Sequence, residues 1–178
     1  MREEKIRLLS GELELEGLYH GGDADKGVVV THPHPLYGGD MFSPVVEAIV
    51  SAYHSCGFAT LRFNFRGTGN STGVHGRGVG ERADVAAAID CLVRKGLQRI
   101  HLSGYSFGAW VNAMAVQDRL PVQQMTMVAP PVAFIEFADG IRLPTLTGVV
   151  AGSHDEFAPP ALVQPLMGRW NPATRLEV

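Results

Sequence analysis

The sequence predicts an α/β fold with a mostly parallel central sheet, an N-terminal antiparallel hairpin and helices on both faces. Short apolar strands alternate with helical stretches from residue 27 onward, and this alternation is typical of a parallel sheet. Before that, residues 12–16 alternate strictly between charged and apolar side chains. A third observation is that one strand passes into a helix through a serine set between two glycines.

The strands follow in order along the chain. Residues 5–9 and 12–16 form the predicted hairpin across Ser10 and Gly11. One face of this hairpin is expected to be solvated because every second side chain of its second strand is charged. The predicted parallel strands are residues 28–30, 59–65, 99–103, 122–128 and 146–151.

Helix signals separate these strands. One helix is predicted to begin at Ser43 and Pro44 and to stop at Gly57, and a second to span about residues 81–95. Residues 175–178 resemble the beginning of a final strand, which is therefore predicted to be incomplete. There is no repeat or linker, so residues 1–178 are predicted to form a single domain.

The composition argues against several classes of function. A formal net charge of -3 and 46% hydrophobic residues give no indication of nucleic acid or a membrane as a partner. Cys56 and Cys91 belong to no Cys/His cluster, so neither a metal nor another cofactor is expected. The charged N-terminus and the lack of a membrane-length apolar run predict a cytoplasmic protein.

Residues 104–108, Gly-Tyr-Ser-Phe-Gly, lie between a predicted strand and an apolar helical stretch. This is the pattern of a nucleophile elbow, G-x-S-x-G. A serine hydroxyl is a weak nucleophile, so a tight turn must lift it to where a base can reach it. The turn leaves no room for side chains two positions away, which accounts for Gly104 and Gly108. Ser106 is thus the predicted nucleophile, and Phe107 offers the first N–H for an oxyanion.

The loop after the first parallel strand is predicted to supply a second oxyanion donor. Residues 31–39, Thr-His-Pro-His-Pro-Leu-Tyr-Gly-Gly, are stiffened by two prolines. Because proline has no N–H, the donor must be another position, and His34 is favoured, then Leu36. A metal pair formed by His32 and His34 is the alternative, but no further His, Asp or Glu cluster accompanies them.

Residues 151–159, after the predicted strand 146–151, are expected to hold the acid that orients a catalytic histidine. Asp155 is the candidate. Glu156 is the weaker choice because neighbouring side chains on a turn diverge, and a merely solvated acidic loop is the alternative. Arg66, after another strand, is expected to tie loops together beside the site rather than to take part in chemistry.

These motifs, in this order, resemble the α/β-hydrolase superfamily over essentially the whole chain. The chain is similar to the small lidless serine hydrolases with a His-Pro-His-Pro-Leu-x-Gly-Gly loop, here residues 32–39. The other matching segments are residues 64–71, 104–108 and 152–159. The resemblance implies that Ser106 is the nucleophile, Asp155 the triad acid and Phe107 an oxyanion donor. It implies no particular substrate.

The resemblance also implies a triad histidine in a loop after the final strand. The sequence ends inside that strand and the other histidines fit poorly, so we expect no complete triad within these residues. Either a longer natural chain supplies the histidine or catalysis has been lost. We expect the unfinished sheet edge to favour self-association. Residues 129–143, where many relatives insert a lid, offer only a turn or two of helix, so no lid is expected.

The resulting hypothesis is a serine hydrolase that cleaves a small ester or thioester through an acyl-enzyme on Ser106. A lidless, open cleft favours small or surface-presented acyl groups, and the expected partner is a small-molecule acyl substrate. The alternatives are a non-catalytic α/β-hydrolase-like binding protein and a peptidase that uses the same site.

Overall fold

The computed structural model describes residues 3–23 and 25–178, which form one eight-stranded sheet flanked by helices. The strands are β1 (Glu4–Ser10), β2 (Leu13–His20), β3 (Lys26–Thr31), β4 (Ala59–Phe63), β5 (Arg99–Tyr105), β6 (Gln124–Val128), β7 (Leu146–Val150) and β8 (Arg175–Glu177). The helices are α1 (Pro44–Ser55), α2 (Val79–Arg94), α3 (Phe107–Ala115) and α4 (Pro160–Trp170).

The strand order in the sheet is β1-β2-β4-β3-β5-β6-β7-β8. β1 pairs with β2 and β2 pairs with β4 in antiparallel fashion, whereas all pairs from β4 through β3 to β8 are parallel. This confirms the predicted α/β fold with an N-terminal hairpin. Because β3 to β8 run in the same direction, their carboxyl ends meet at one edge, where ligands bind in such sheets.

The hairpin has the predicted division between a buried and a solvated face. Leu8 lies opposite Leu15, and both side chains are buried in the main core. On the other face, Arg7 and Glu14 form an exposed ion pair 2.6 Å long. Strict alternation in the sequence therefore gave the correct face of each strand, because successive side chains of a strand point to opposite sides.

Side chains of β3 divide the core into two layers. Val29 belongs to the larger cluster, to which α2 and α3 contribute Val85 and Val111. Val28 and Val30 belong to a smaller cluster with residues of α1. Helices therefore cover both faces, as predicted. The cover is thinner over the far end of the sheet, where Val150 of β7 is 46% exposed.

Three local features differ from the sequence prediction. Residues 129–145 contain separate hydrogen-bonded turns, such as the one closed by the Ile135 N–H on the Pro131 carbonyl, but no helix. Pro130 and Pro131 have no N–H to donate to a helical ladder. Ser43 lies at the N-cap of α1 but its hydroxyl makes no capping bond there. Helix α4 was not predicted, since Pro165 interrupts its pattern.

In the described part of the chain, no helix combines the length and the apolar character that a membrane span requires.

Candidate active site

Ser106 is a single residue between the end of β5 and the beginning of α3, with φ 54° and ψ −118°. A positive φ is costly for any residue with a Cβ, on the order of 1–3 kcal/mol. Two hydrogen bonds hold it there: its N–H donates to the Val128 carbonyl at 2.9 Å, and its carbonyl accepts from the Trp110 N–H at 3.2 Å. The predicted elbow is therefore present, and its strain lies at the predicted nucleophile.

The two glycines of the elbow are required by close backbone contacts. A Cβ on Gly104 would lie 2.6 Å from the nitrogen of Ala109. A Cβ on Gly108 would lie 2.6 Å from Thr31 Oγ1 and 2.7 Å from the carbonyl oxygen of His32. Gly108 thus allows α3 to lie directly against the end of β3, which brings the loop after β3 next to Ser106.

Replacing Gly108 with alanine is expected to lower the free energy of unfolding by about 2–3 kcal/mol, because neither Thr31 nor the backbone of His32 can move away freely. Urea unfolding checks this. Gly168→Ala in α4 is the matched control, since its Cβ would meet nothing within 4 Å. That change is expected to stabilise the helix by about 0.5–1 kcal/mol. Equal stability of the two variants would contradict the packing account.

The loop after β3 forms a short 3₁₀ turn at Pro35–Tyr37. The Leu36 N–H donates to Nδ1 of His34 at 3.2 Å, so it is already engaged. No acceptor for the His34 N–H occurs among residues 3–23 and 25–178. Of the two predicted second donors, the free one is therefore His34. Burial and the neighbouring His75 lower the pKa of His34, which favours a neutral ring.

His32 joins the two loops on this side of the site. Its ring is buried: Nε2 accepts the Phe65 N–H at 3.0 Å, and Nδ1 lies 2.7 Å from the Pro33 carbonyl. Both ring nitrogens are thus engaged with backbone groups, which leaves none to bind a metal. Burial lowers the pKa of His32 from 6.5 to about 4.

This low pKa predicts a loss of stability in mild acid. The unfolded chain, with a pKa near 6.5, binds a proton before folded His32 does, so the stabilisation is complete above pH 6.5 and is lost between pH 6.5 and about 4. At about pH 5 the expected loss from this residue is about 2 kcal/mol. The free energy of unfolding, measured in urea at about pH 7.5 and about pH 5, should fall less for His32→Asn than for the wild type. An equal drop in both proteins would contradict the assignment.

The loop after β7 presents Asp155. Its Oδ1 accepts the N–H groups of Phe157 at 2.8 Å and Ala158 at 2.9 Å. These bonds fix the carboxylate and do not use Oδ2. The side chain of Glu156 is exposed, whereas Asp155 is half-buried. Of the two predicted acids, Asp155 is the one that the loop orients.

None of the seven histidines is hydrogen-bonded to Ser106 or Asp155 in the described part of the chain. His20 and His54 pack on each other, with ring centroids 4.2 Å apart, near the amino ends of the parallel strands. His101 packs on Phe58. The remaining four lie on loops around the site, where His32 is buried, His34 and His75 stack on Phe107, and His154 is exposed beside Asp155.

His75 is a neighbour of the site that no sequence pattern indicates. Its ring centroid lies 5.5 Å from that of Phe107 and 4.9 Å from that of His34. Its Nδ1 lies 3.0 Å from Oε1 of Glu81, although the angle does not make this a hydrogen bond. The carboxylate of Glu81 accepts the N–H groups of Gly76 and Gly78, which agrees with its predicted place at a helix start.

Arg66 has the structural role that the sequence predicts. Its guanidinium contacts Asp84 of α2 through Nη2 at 2.7 Å and Nε at 3.0 Å, and a further bond reaches Ser10. The hydrogen bonds that Arg66 donates to the carboxylate of Asp84 raise the pKa of Arg66. The ion pair between Arg66 and the buried carboxylate of Asp84 links the loop after β4 to α2, and the bond from Arg66 to Ser10 links it to the hairpin.

A groove of about 650 Å³ lies elsewhere, between the hairpin and the segment after the 3₁₀ turn. It is lined by Phe42 and by Glu16, whose carboxylate accepts hydrogen bonds from Asn64 and Asn70. The predicted nucleophile and acid do not line this groove. Ser106 is half-buried and lies instead at the carboxyl edge of the sheet.

No family model matches the chain. Its structure is similar to that of an α/β serine hydrolase homologue from Coxiella burnetii, with a TM-score of 0.90 and 31% identity over 100% of this chain and 87% of the other. It is also similar to XC6422 from Xanthomonas campestris, a lidless α/β serine hydrolase, with a TM-score of 0.88 and 27% identity. That match covers 99% of this chain and 83% of the other.

A similar sequence comes from Rickettsia prowazekii (strain Madrid E). The chain is 33% identical over 165 residues to its uncharacterized protein RP471, and the match covers 89% of this chain and 69% of that protein.

Proposed function

The chain belongs to the α/β serine hydrolases, and on that premise we propose that it cleaves small esters or thioesters through an acyl-enzyme on Ser106. The observation that carries the proposal is the strained conformation of Ser106, φ 54°, between a strand and a helix. Strained residues of this kind cluster at active sites, where the strain presents a side chain for reaction. The Phe107 N–H, the first of α3, has no acceptor inside the helix and is free to hold negative charge.

The proposed reaction has two acyl-transfer steps. Ser106 Oγ attacks the carbonyl carbon while its proton passes to a base, and a tetrahedral oxyanion forms. When this intermediate collapses, the bond to the leaving group breaks and the leaving group takes the proton from the base. Water then attacks the acyl-enzyme in the same way, which releases the acid and restores the serine.

Two backbone N–H groups are proposed to stabilise the oxyanion. Phe107 supplies one and His34 the other, because the Leu36 N–H already donates to the His34 ring. Donors fixed in position before the reaction cost no reorganisation, and the loss of one such donor typically slows acyl transfer by about 10²–10³-fold. Support comes from the packing of the His34 ring against that of Phe107, 4.7 Å between centroids, which brings the two residues side by side.

Asp155 is proposed to orient the base, a histidine whose N–H would donate to Oδ2. Support comes from the two backbone bonds to Oδ1, which fix the carboxylate and leave the second oxygen available. In a serine triad this carboxylate holds the histidine in the correct tautomer and stabilises the imidazolium that forms. Ser106 and Asp155 follow β5 and β7, so both lie at the carboxyl edge of the sheet.

The proposed substrates are small. With turns but no helix in residues 129–145, nothing in the described part of the chain encloses Ser106 as a lid would. An open site buries little of the apolar surface of a long acyl chain. Binding of such a chain is therefore stabilised little by the hydrophobic effect.

Intact-mass analysis after treatment with a fluorophosphonate tests the proposal. The folded natural protein is expected to gain a single adduct, which Ser106→Ala abolishes. Ser153→Ala is the matched control, because Ser153 is an exposed serine in the Asp155 loop and is expected to leave labelling unchanged. Absence of an adduct on folded protein would contradict the proposal and favour a non-catalytic binding protein.

A further inference from the structure

Two aromatic side chains are exposed together at the edge of the sheet that carries Ser106. Phe134 is 68% exposed and Phe157 is 52% exposed. Their rings stack on each other, with centroids 4.5 Å apart and an angle of 29° between the planes. Large apolar groups that remain exposed as a contiguous pair often mark a binding site.

The pair is held in place by the backbone. The Ala133 N–H donates to the Phe157 carbonyl at 3.1 Å, which joins the loop after β6 to the loop after β7. The Phe134 N–H donates to the Pro131 carbonyl at 3.0 Å, in a turn that two consecutive prolines stiffen. Because the rings are fixed before any ligand arrives, a ligand that stacks on them loses little free energy to ordering.

The same loop is also attached to the helix that follows Ser106. Trp110 of α3 donates its Nε1–H to the Glu136 carbonyl at 3.1 Å. Trp110 also donates its backbone N–H to the carbonyl of Ser106. The loop that carries Phe134 is therefore linked to the elbow through one residue, which fixes their relative positions.

The strand register indicates how far Ser106 lies from the loops that follow β6 and β7. Tyr105 pairs with Val128 and Val128 pairs with Val150, so Ser106 is level with the points where both loops begin. Neighbouring strands are about 4.8 Å apart, so the loops begin about 5 and 10 Å from the backbone of Ser106. An aromatic ring joined to an ester carbonyl through one or two methylene groups lies about one strand spacing beyond that carbonyl, on the scale of the separation between Ser106 and these loops.

From these observations we infer that the Phe134–Phe157 pair binds the aromatic ring of the ester that Ser106 cleaves, so that arylalkyl esters are the preferred substrates. This inference rests on the function proposed above. Ring-on-ring stacking suits a flat aromatic group better than a flexible chain, because offset stacking adds to the burial of apolar surface. The adjacent carboxylates of Glu136 and Glu156 are exposed, which favours neutral rings over anionic ones.

Paired esters test the inference and show which side of the ester carries the ring. Benzyl acetate is compared with ethyl acetate, and methyl phenylacetate with methyl acetate. The wild-type protein is expected to prefer the aromatic member of at least one pair by roughly tenfold in kcat/KM. Phe134→Ala and Phe157→Ala should each remove most of this preference, measured as the ratio of kcat/KM between the two esters of the pair.

Phe42→Ala is the matched control, because Phe42 is 51% exposed but lies in the separate groove beside the hairpin. It should leave the preference unchanged. Hydrolysis of the non-aromatic esters without any aromatic preference would overturn the inference and leave the proposed function standing.

If no ester is hydrolysed, the proposed function fails. Whether the phenylalanine pair binds an aromatic ring is then tested by a binding experiment. Methyl phenylacetate is then titrated into the protein, and the chemical shifts of backbone amides are followed. Changes confined to the amides of residues 132–136 and 155–158, and abolished by Phe134→Ala, would support the aromatic site. Changes elsewhere, or none, would overturn it.

Discussion

In the natural protein, where we propose that a histidine oriented by Asp155 acts as the base, replacing Ser106 with alanine is expected to lower kcat for a short-chain nitrophenyl ester by a factor on the order of a million, with little change in KM. The reason is that the acyl-enzyme cannot form, so only the oxyanion hole and substrate binding remain to accelerate attack by water. Steady-state kinetics at saturating ester measure the effect. Retention of more than about a hundredth of the activity would mean that another residue is the nucleophile.

Ser106→Gly serves as a companion variant because it removes the hydroxyl and relieves the strained backbone as well. Glycine adopts a φ of 54° without steric cost, whereas alanine retains the strain. The glycine variant is expected to be more stable than the alanine variant by about 1 kcal/mol in urea unfolding, although both are inactive. This outcome would show that the strained backbone of Ser106 costs stability and that its hydroxyl is needed for activity.

Asp155→Asn is expected to lower kcat about 10⁴-fold, the second largest effect. The amide oxygen can still accept the N–H groups of Phe157 and Ala158, so the loop should keep its shape. The amide nitrogen would then replace Oδ2 and would stabilise the wrong tautomer of the histidine that we propose as the base. Ester hydrolysis across the pH range is the appropriate measurement.

Glu156→Gln is the matched control for that variant, since Glu156 is the adjacent and exposed carboxylate. Its activity should stay within about twofold of the wild type. The reverse pattern, with a large loss for Glu156→Gln and little for Asp155→Asn, would contradict the assignment of the acid. Thermal unfolding of both variants would show whether a loss of activity arises from unfolding.

The elements of the fold that could be predicted from the sequence are those with a local signal. The hairpin has strict alternation, and the elbow joins a strand to a helix within the five residues 104–108. Helix α4 lacks such a signal because Pro165 lies inside it, and its stability comes from burial of Val163 and Trp170. Residues 129–145 illustrate the opposite case, since their apolar side chains are fixed by tertiary contacts without forming a helix.

At the site, the sequence indicates which loops matter but not how their side chains are arranged. It left both His34 and Leu36 as oxyanion donors, and the choice depends on the rotamer with which the His34 ring accepts the Leu36 N–H. The contact of His75 with Phe107 and the stacking of Phe134 on Phe157 join segments more than 20 residues apart in sequence. Packing of this kind leaves no periodic pattern in the chain, so only the folded structure reveals it.

The central claim, that Ser106 carries the acyl group, is tested most directly by trapping the intermediate. The protein is mixed with nitrophenyl acetate, quenched in acid within the first turnovers, digested and analysed by mass spectrometry. The account predicts a burst of nitrophenolate together with an acetyl group on the peptide that contains Ser106. Turnover without a burst and without acetylation of that peptide, or acetylation at another residue that Ser106→Ala does not abolish, would contradict it.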